Sequence, residues 1–160
     1  MPVKIGTFGA LMLSISGSTP SKPVISRGSL SSSIQNKRMF SYGRVCIGTF
    51  IIPLAKILWD TGSKQTFVYI SSLDKLDVAP LGTFPVSGIG AEVMATAYSA
   101  RIDLSDNLAF DDLIVGVMIG DEEADDDSYE SADVILGMDA IQYGELSIHG
   151  PDRVFTFSIK

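Results

Sequence analysis

The run Leu58-Trp59-Asp60-Thr61-Gly62-Ser63 sets one carboxylate on a tight turn directly behind an apolar strand. Ile57, Leu58 and Trp59 have the character of a buried strand end, and Gly62 lets backbone approach backbone closely. A carboxylate in such a place is costly unless it is hydrogen-bonded, and Thr61 and Ser63 put a hydroxyl on either side of it. The same four residues are also ordinary turn chemistry at the end of a strand, so the rest of the chain has to decide between the two. A second stretch runs from Asp133 through Val134, Ile135, Leu136, Gly137, Met138 and Asp139 to Ile141. Three apolar residues entering a glycine describe a buried strand that stops where only a small residue fits. Asp139 to Gln142 are expected to form a short helix closed by Gly144. Between these stretches, Phe84 to Met94 have the pattern of a β-hairpin with Gly88-Ile89-Gly90 at its tip.

Taken in this order, the D-T-G-S turn, the glycine-tipped hairpin and the I-L-G-M-D block resemble the retropepsin-like (retroviral-type) aspartic proteases. The likeness is to their small prokaryotic and phage-encoded forms, and it covers about residues 44–160. The resemblance implies an all-β fold: an acid-protease-type closed β-barrel with one short C-terminal helix, one lobe per chain, completed as a two-fold dimer. It implies an aspartic endopeptidase whose catalytic turn is Asp60, Thr61, Gly62 and Ser63. Thr61 would bond across the axis to the partner's backbone, and Ser63 would donate to the outer oxygen of Asp60 and favour its charged form. Ser87, Gly88, Ile89 and Gly90 would form a flap over the substrate. Ile135, Leu136 and Gly137 would support the site, with Gly137 packed against the Asp60 turn. Trp59 departs from the pattern, being bulkier than the aliphatic residue usual before the aspartate.

Peptide hydrolysis of this kind uses two carboxylates, one to activate water and one to donate a proton to the carbonyl oxygen. These 160 residues contain no second D-T-G or D-S-G. Asp139 is expected to point away from the turn, as in relatives. The simplest solution is a homodimer that sets Asp60 beside its copy, and the resemblance implies that the Arg153–Lys160 strand lies in its interface. The substrate would be a peptide or protein segment in extended conformation, added as a strand between flap and floor. Two other readings stand beside this one: a catalytically silent peptide-binding or dimerisation module on the same fold, and a β-barrel of unrelated function.

Composition narrows the field. The chain is long enough for one domain with a real core and too short for two pepsin-like lobes. No apolar run reaches the ~18 residues of a membrane span. The net charge of −7 disfavours nucleic acid as a partner. Cys46 is the single cysteine, which excludes an intrachain disulfide and fits a cytoplasmic location. His149 is the single histidine, which argues against Ser-His or Cys-His hydrolases and against a histidine-rich metal site. No metal and no cofactor are expected. Residues 121–130 hold seven acids in ten positions and read as a solvated loop, since the calcium-binding EF-hand pattern with its central glycine is missing.

Along the chain, residues 1–41 are expected to be an N-terminal extension or removable pro-segment, and residues 42–160 the protease-like domain. The extension would place a strand near Ile5–Ile15 and then run as a Ser/Pro/Gly-rich connector through Ser33. A secretory signal is the weaker reading, having a single basic residue and no small-x-small cleavage site. Strands are expected at Arg44–Ile52, Leu54–Trp59 and Thr66–Ile70, with a short helix from Ser71 or Ser72 to Leu76. Further strands follow at Thr83–Ile89, Glu92–Leu104, Leu113–Ile119, Val134–Leu136, Glu145–Ile148 and Arg153–Ile159.

Overall fold

A computed structural model describes residues 22–88, 91–120 and 132–160. The strands are β1 (Val24–Ser26), β2 (Ser29–Gln35), β3 (Arg38–Ile47), β4 (Phe50–Trp59), β5 (Phe67–Ile70), β6 (Gly82–Gly88), β7 (Ala91–Asp103), β8 (Ala109–Ile119), β9 (Val134–Leu136), β10 (Glu145–His149) and β11 (Val154–Ser158). A 3-10 turn, Leu73–Lys75, is capped by the Ser72 hydroxyl, and among the described residues one α-helix, α1, spans Met138–Ile141.

Six strands close on themselves. The ring runs β3-β4-β9-β5-β8-β7 and returns to β3 through the antiparallel pairing of Arg44–Cys46 with Arg101–Asp103. The interior is filled by aliphatic side chains alternating with outward ones, among them Val45, Ile57, Ile102, Val115 and Leu136, all essentially without solvent contact. The fold is all-β and barrel-shaped, as the resemblance implied.

The barrel closes at an irregularity whose position differs from the expected one. Arg44–Ile52 was expected as one strand ending at Pro53, but the chain turns at Gly48, where φ is +58°, and Pro53 lies inside β4. Register shifts between Gly43↔Ala55 and Val45↔Ile52, so Pro53 and Leu54 face only Arg44 across the pair. A proline has no N–H for a ladder, and a bulge is where none is needed. Arg44 instead pairs with Asp103 of β7, which is how one strand serves two neighbours.

The N-terminal boundary is also corrected. Residues up to 41 were assigned to an extension and connector, yet β1 pairs with β8, and β2 pairs along its length with β11 and turns into β3. Serine-rich composition hides a strand here. In Ser29–Gln35 alternate positions face inward, led by Leu30 and Ile34, while Ser32 satisfies its hydroxyl on the Phe40 carbonyl at 2.7 Å. Asn36 and Lys37, both at positive φ, make the two-residue hairpin turn to β3. The proposed strand at Ile5–Ile15 lies outside the described residues, as does the acidic block.

β10, β11 and β2 extend the barrel as a three-stranded floor. β11 is the middle strand, so it lacks the free edge that dimerisation through Arg153–Lys160 would use. Among the described residues that edge belongs to β10. The floor carries Phe155 and Phe157, whose rings stand 5.3 and 5.0 Å from Trp59. The Trp59 indole N–H donates to the Ser41 hydroxyl at 2.8 Å. The large residue before Asp60 is thus anchored by two tilted aromatic contacts and by its one polar atom.

On the other side of the barrel wall, β6 and β7 pair from Gly82↔Ala97 to Gly88↔Ala91 and enclose a smaller cluster of Phe67, Phe84, Val86, Ala95 and Ala97. Gly116, register partner of Phe67, leaves the space these rings occupy: a Cβ there would stand 2.8 Å from both. Gly116→Val is expected to destabilise the protein by about 1–3 kcal/mol through overpacking. Urea unfolding checks this, with an unchanged midpoint counting against the ring-packing account.

Candidate active site

β4 ends at Trp59 and the chain leaves the barrel wall at Asp60. The Asp60 N–H donates to the Leu136 carbonyl at 3.0 Å, so the turn hangs from the end of β9, which runs parallel to β4 in the register Trp59↔Leu136. Asp133 sets that register at the far end. Its carboxylate accepts from the Lys56 N–H at 2.8 Å, and its own N–H donates to the Lys56 carbonyl at 2.9 Å.

Asp60 is half-buried while Thr61 and Gly62 are exposed. The Gly62 N–H donates to Asp60 Oδ1 at 2.9 Å, and Ser63 N–H closes the turn on the Asp60 carbonyl at 3.1 Å. A side chain at position 62 would crowd the carboxylate, since a Cβ would come 3.1 Å from Oδ1. The result is a carboxylate with one oxygen fixed by a backbone donor, carried on a turn whose Thr61 and Gly62 are exposed.

Ser63 does something other than expected. It is fully buried, and its hydroxyl donates to the Gln65 carbonyl at 2.6 Å rather than to Asp60. The turn reverses between the two residues, so Asp60 faces outward while Ser63 faces the protein. Its role is to hold the loop, and the expected influence on the charge of Asp60 is withdrawn.

Gly137 lies where β9 meets this loop. A Cβ on it would overlap the Gln65 carbonyl and stand 2.9 Å from the Ser63 carbonyl oxygen. The contact is stitched by Met138 N–H to Ser63 O at 2.7 Å and Asp139 N–H to Lys64 O at 3.2 Å. Leu136 is buried in the barrel core. Ile135, its half-buried neighbour, points to the hairpin side with Phe67. Of the hairpin tip, Ser87 and Gly88 end β6, and Ile89 and Gly90 lie outside the described residues.

Two polar residues of the loop carry weight that the motif reading passed over. Thr66 is buried; its N–H and hydroxyl both donate to Asp139, at 2.9 and 2.6 Å, and its hydroxyl oxygen accepts from Gly137 N–H at 3.1 Å. Buried Gln65 donates its side-chain amide to the Ile114 carbonyl at 2.7 Å. Asp139 is therefore engaged through both oxygens and faces the loop's base, consistent with its expected exclusion as the second catalytic carboxylate. A sequence signal existed: two polar residues, Gln65 and Thr66, wedged between the turn and the apolar Phe67–Ile70 strand. Among the described residues no group of three His, Cys, Asp or Glu side chains is placed to hold a metal ion.

No protein-family model matches this sequence, and no curated protein matches it. Solved structures do. A retropepsin-like aspartic protease from Rickettsia conorii aligns with a TM-score of 0.51 over 87% of this chain and 95% of its own, at 11% identity. The retroviral protease-like domain of Ddi1 from Leishmania major aligns over 71% of this chain and 83% of its own, with a TM-score of 0.36 and 13% identity. The fold is retropepsin-like. At such identities the likeness concerns the path of the chain and leaves the chemistry to the residues themselves.

Loss of solvent pushes the Asp139 carboxyl up to about 6, against the two Thr66 bonds, which favour its charged form. The folded protein then holds this proton more tightly than the unfolded chain. The stabilisation linked to Asp139 is complete below the unfolded value of ~3.9 and is lost as pH rises through about 6. Unfolding free energies of wild type and Asp139→Asn, measured in urea from pH 3.5 to 7.5, should differ by an amount that falls between pH 4 and 6 and is level above. A difference independent of pH would refute the assignment.

Proposed function

We propose that this protein is an aspartic endopeptidase of the small prokaryotic or phage-encoded retropepsin-like type, active as a homodimer. The observation that carries the reading is the Asp60 carboxylate, held by a backbone N–H at the outward-facing end of a barrel strand, in a retropepsin-like fold. One Asp60 per chain supplies half of the chemistry. In the dimer, one Asp60 takes a proton from water as it attacks the peptide carbonyl carbon, and the other donates a proton to the carbonyl oxygen. Collapse of the resulting diol to amine and acid returns the protons. Two carboxylates held this close resist double ionisation and share one proton, which keeps an acid and a base available together.

The neighbouring residues fit these roles. Gly62 leaves room beside the carboxylate, Thr61 is exposed where a second copy would meet it, and the Ser63–Thr66 base keeps the turn from shifting. The substrate is a peptide segment in extended conformation, lying between the turn and the β6–β7 hairpin, which acts as the flap through Ser87–Gly90. Half-buried Leu58 and Ile135, register partners in the β4–β9 pair, offer this substrate an apolar wall.

Asp60→Asn is expected to lose at least about a hundredfold in kcat/KM on an unstructured protein such as casein, with unfolding midpoint and mass in solution unchanged. A statine-type transition-state mimic should block wild-type cleavage. Binding of peptide without cleavage, by a protein indifferent to the Asp60 change, would establish the silent-module reading instead. Specific activity should also fall on dilution below the dimer dissociation constant. A monomer by ultracentrifugation with undiminished activity would overturn the two-chain site.

A further inference from the structure

A cavity of about 350 Å³ lies between the β3–β4 turn, the segment leading into β6 and the far end of the β7–β8 pair. Gly48 lines it just before β4, and Asp60 follows the other end of that strand. About 30 Å of strand therefore separates the cavity from the carboxylate turn. Its wall toward β6 is held in place. The Asp77 carboxylate accepts from the Thr49 N–H at 3.1 Å and from the Thr49 hydroxyl at 2.7 Å, and a side chain at Gly48 would overlap Asp77 and Val78. This wall is apolar and uncovered, with Val78 38% and Leu81 47% exposed. The Leu81 N–H donates to the Ala97 carbonyl at 2.7 Å, which fixes the wall to β7.

The opposite wall is charged, and a β-bulge makes it so. Ala100 pairs with Leu113 and Ile102 with Phe110, which leaves Arg101 facing both Asp111 and Asp112. In a regular strand two consecutive side chains point to opposite faces. Here the extra residue, with Asp112 at a φ of +54°, brings both to the lining of the cavity. Arg101 is already committed, its guanidinium standing 2.9 Å from Asp103 and 3.1 Å from Asp111. The other Asp111 oxygen accepts from the Asp112 N–H at 3.1 Å. Among the described residues, the Asp112 carboxylate receives only a long 3.4 Å contact from the Ser99 hydroxyl. The lining thus sets one guanidinium against two carboxylates, and the carboxylate in excess is the one with least to bond.

We propose that this cavity is a docking site for an arginine side chain of a partner polypeptide, with its guanidinium on Asp112 and its methylene stem over Val78 and Leu81. Charge complementarity selects a cation, since the lining is net negative and the whole chain carries −7. Arginine suits the site better than lysine. Its planar fork gives one carboxylate two parallel bonds, while its stem covers apolar surface. Free arginine would bring its own carboxylate toward Asp111 and Asp112, so a residue flanked by neutral amides is the better occupant. The proposal rests on the protease reading for its purpose. At the far end of β4 from Asp60, the cavity serves as an exosite that selects protein substrates by a basic residue outside the segment being cut.

The test is a titration followed through backbone amide NMR signals. Added to the full chain, the blocked peptide acetyl-Ala-Arg-Ala-amide should shift Leu81, Ser99 and Arg101 and leave Gly62 unmoved. Its counterpart with neutral citrulline in place of arginine should shift none of them. Asp112→Asn should weaken binding roughly three- to tenfold, and Leu81→Ser, at an exposed position, several-fold, both with urea midpoints unchanged. Saturation with a statine-type mimic should leave the titration as it was. Equal binding of the citrulline peptide, equal binding by Asp112→Asn, or shifts at Gly62 that the mimic abolishes would overturn the site. Free arginine binding as tightly as the blocked peptide would overturn the polypeptide occupant. Binding at the cavity by a protein that cleaves nothing would uphold the site while removing the protease reading. Cleavage by a protein that fails these titrations would overturn the site alone.

Discussion

The site depends on one close approach between backbone segments 73 residues apart in sequence, the loop after Asp60 and the chain around Gly137. A side chain at 137 would occupy the place of the Gln65 carbonyl. Because it is glycine, the Ser63 and Lys64 carbonyls receive the first N–H groups of α1, and Thr66 bridges Gly137 to Asp139. Each bond contributes only about 0.5–1.5 kcal/mol net. Together they leave the turn one position, which is what a carboxylate needs if it is to meet a second one at hydrogen-bond distance.

That approach is possible because the barrel supplies a parallel pair. β9 enters between β4 and β5, parallel to one and antiparallel to the other, so the ends of β4 and β9 arrive side by side. The Asp133 carboxylate on the Lys56 N–H prevents the pair from sliding. Below, Trp59 contacts the floor phenylalanines and donates to Ser41, so its bulk is accommodated by the floor rather than by the turn.

Ser63 and Ser29–Gln35 show where reading a sequence stops short. The four residues D-T-G-S mark a turn and its carboxylate, yet nothing local states which way the fourth hydroxyl points. That follows from the loop's burial against α1, and burial turned Ser63 to the Gln65 carbonyl. In the N-terminal segment serine-rich composition suggested a connector, while alternation of Leu30, Ser32 and Ile34 was the stronger signal. Composition misled because an inward serine can be satisfied by a backbone carbonyl, as Ser32 is by Phe40 of β3, and because the strand that pairs with the other edge, β11, lies at the other end of the chain.

The sequence by itself determined the strand-rich character, the carboxylate turn, the glycine-tipped hairpin and the strand that ends at Gly137, because these are local matters of periodicity, propensity and steric size. The tertiary structure alone decided which strands meet: that β3 serves both β4 and β7, that β11 lies between β10 and β2, and that Asp139 faces Thr66. Strand pairing is a long-range property, set by which apolar faces can be buried together in one closed barrel, and no window of neighbouring residues contains it.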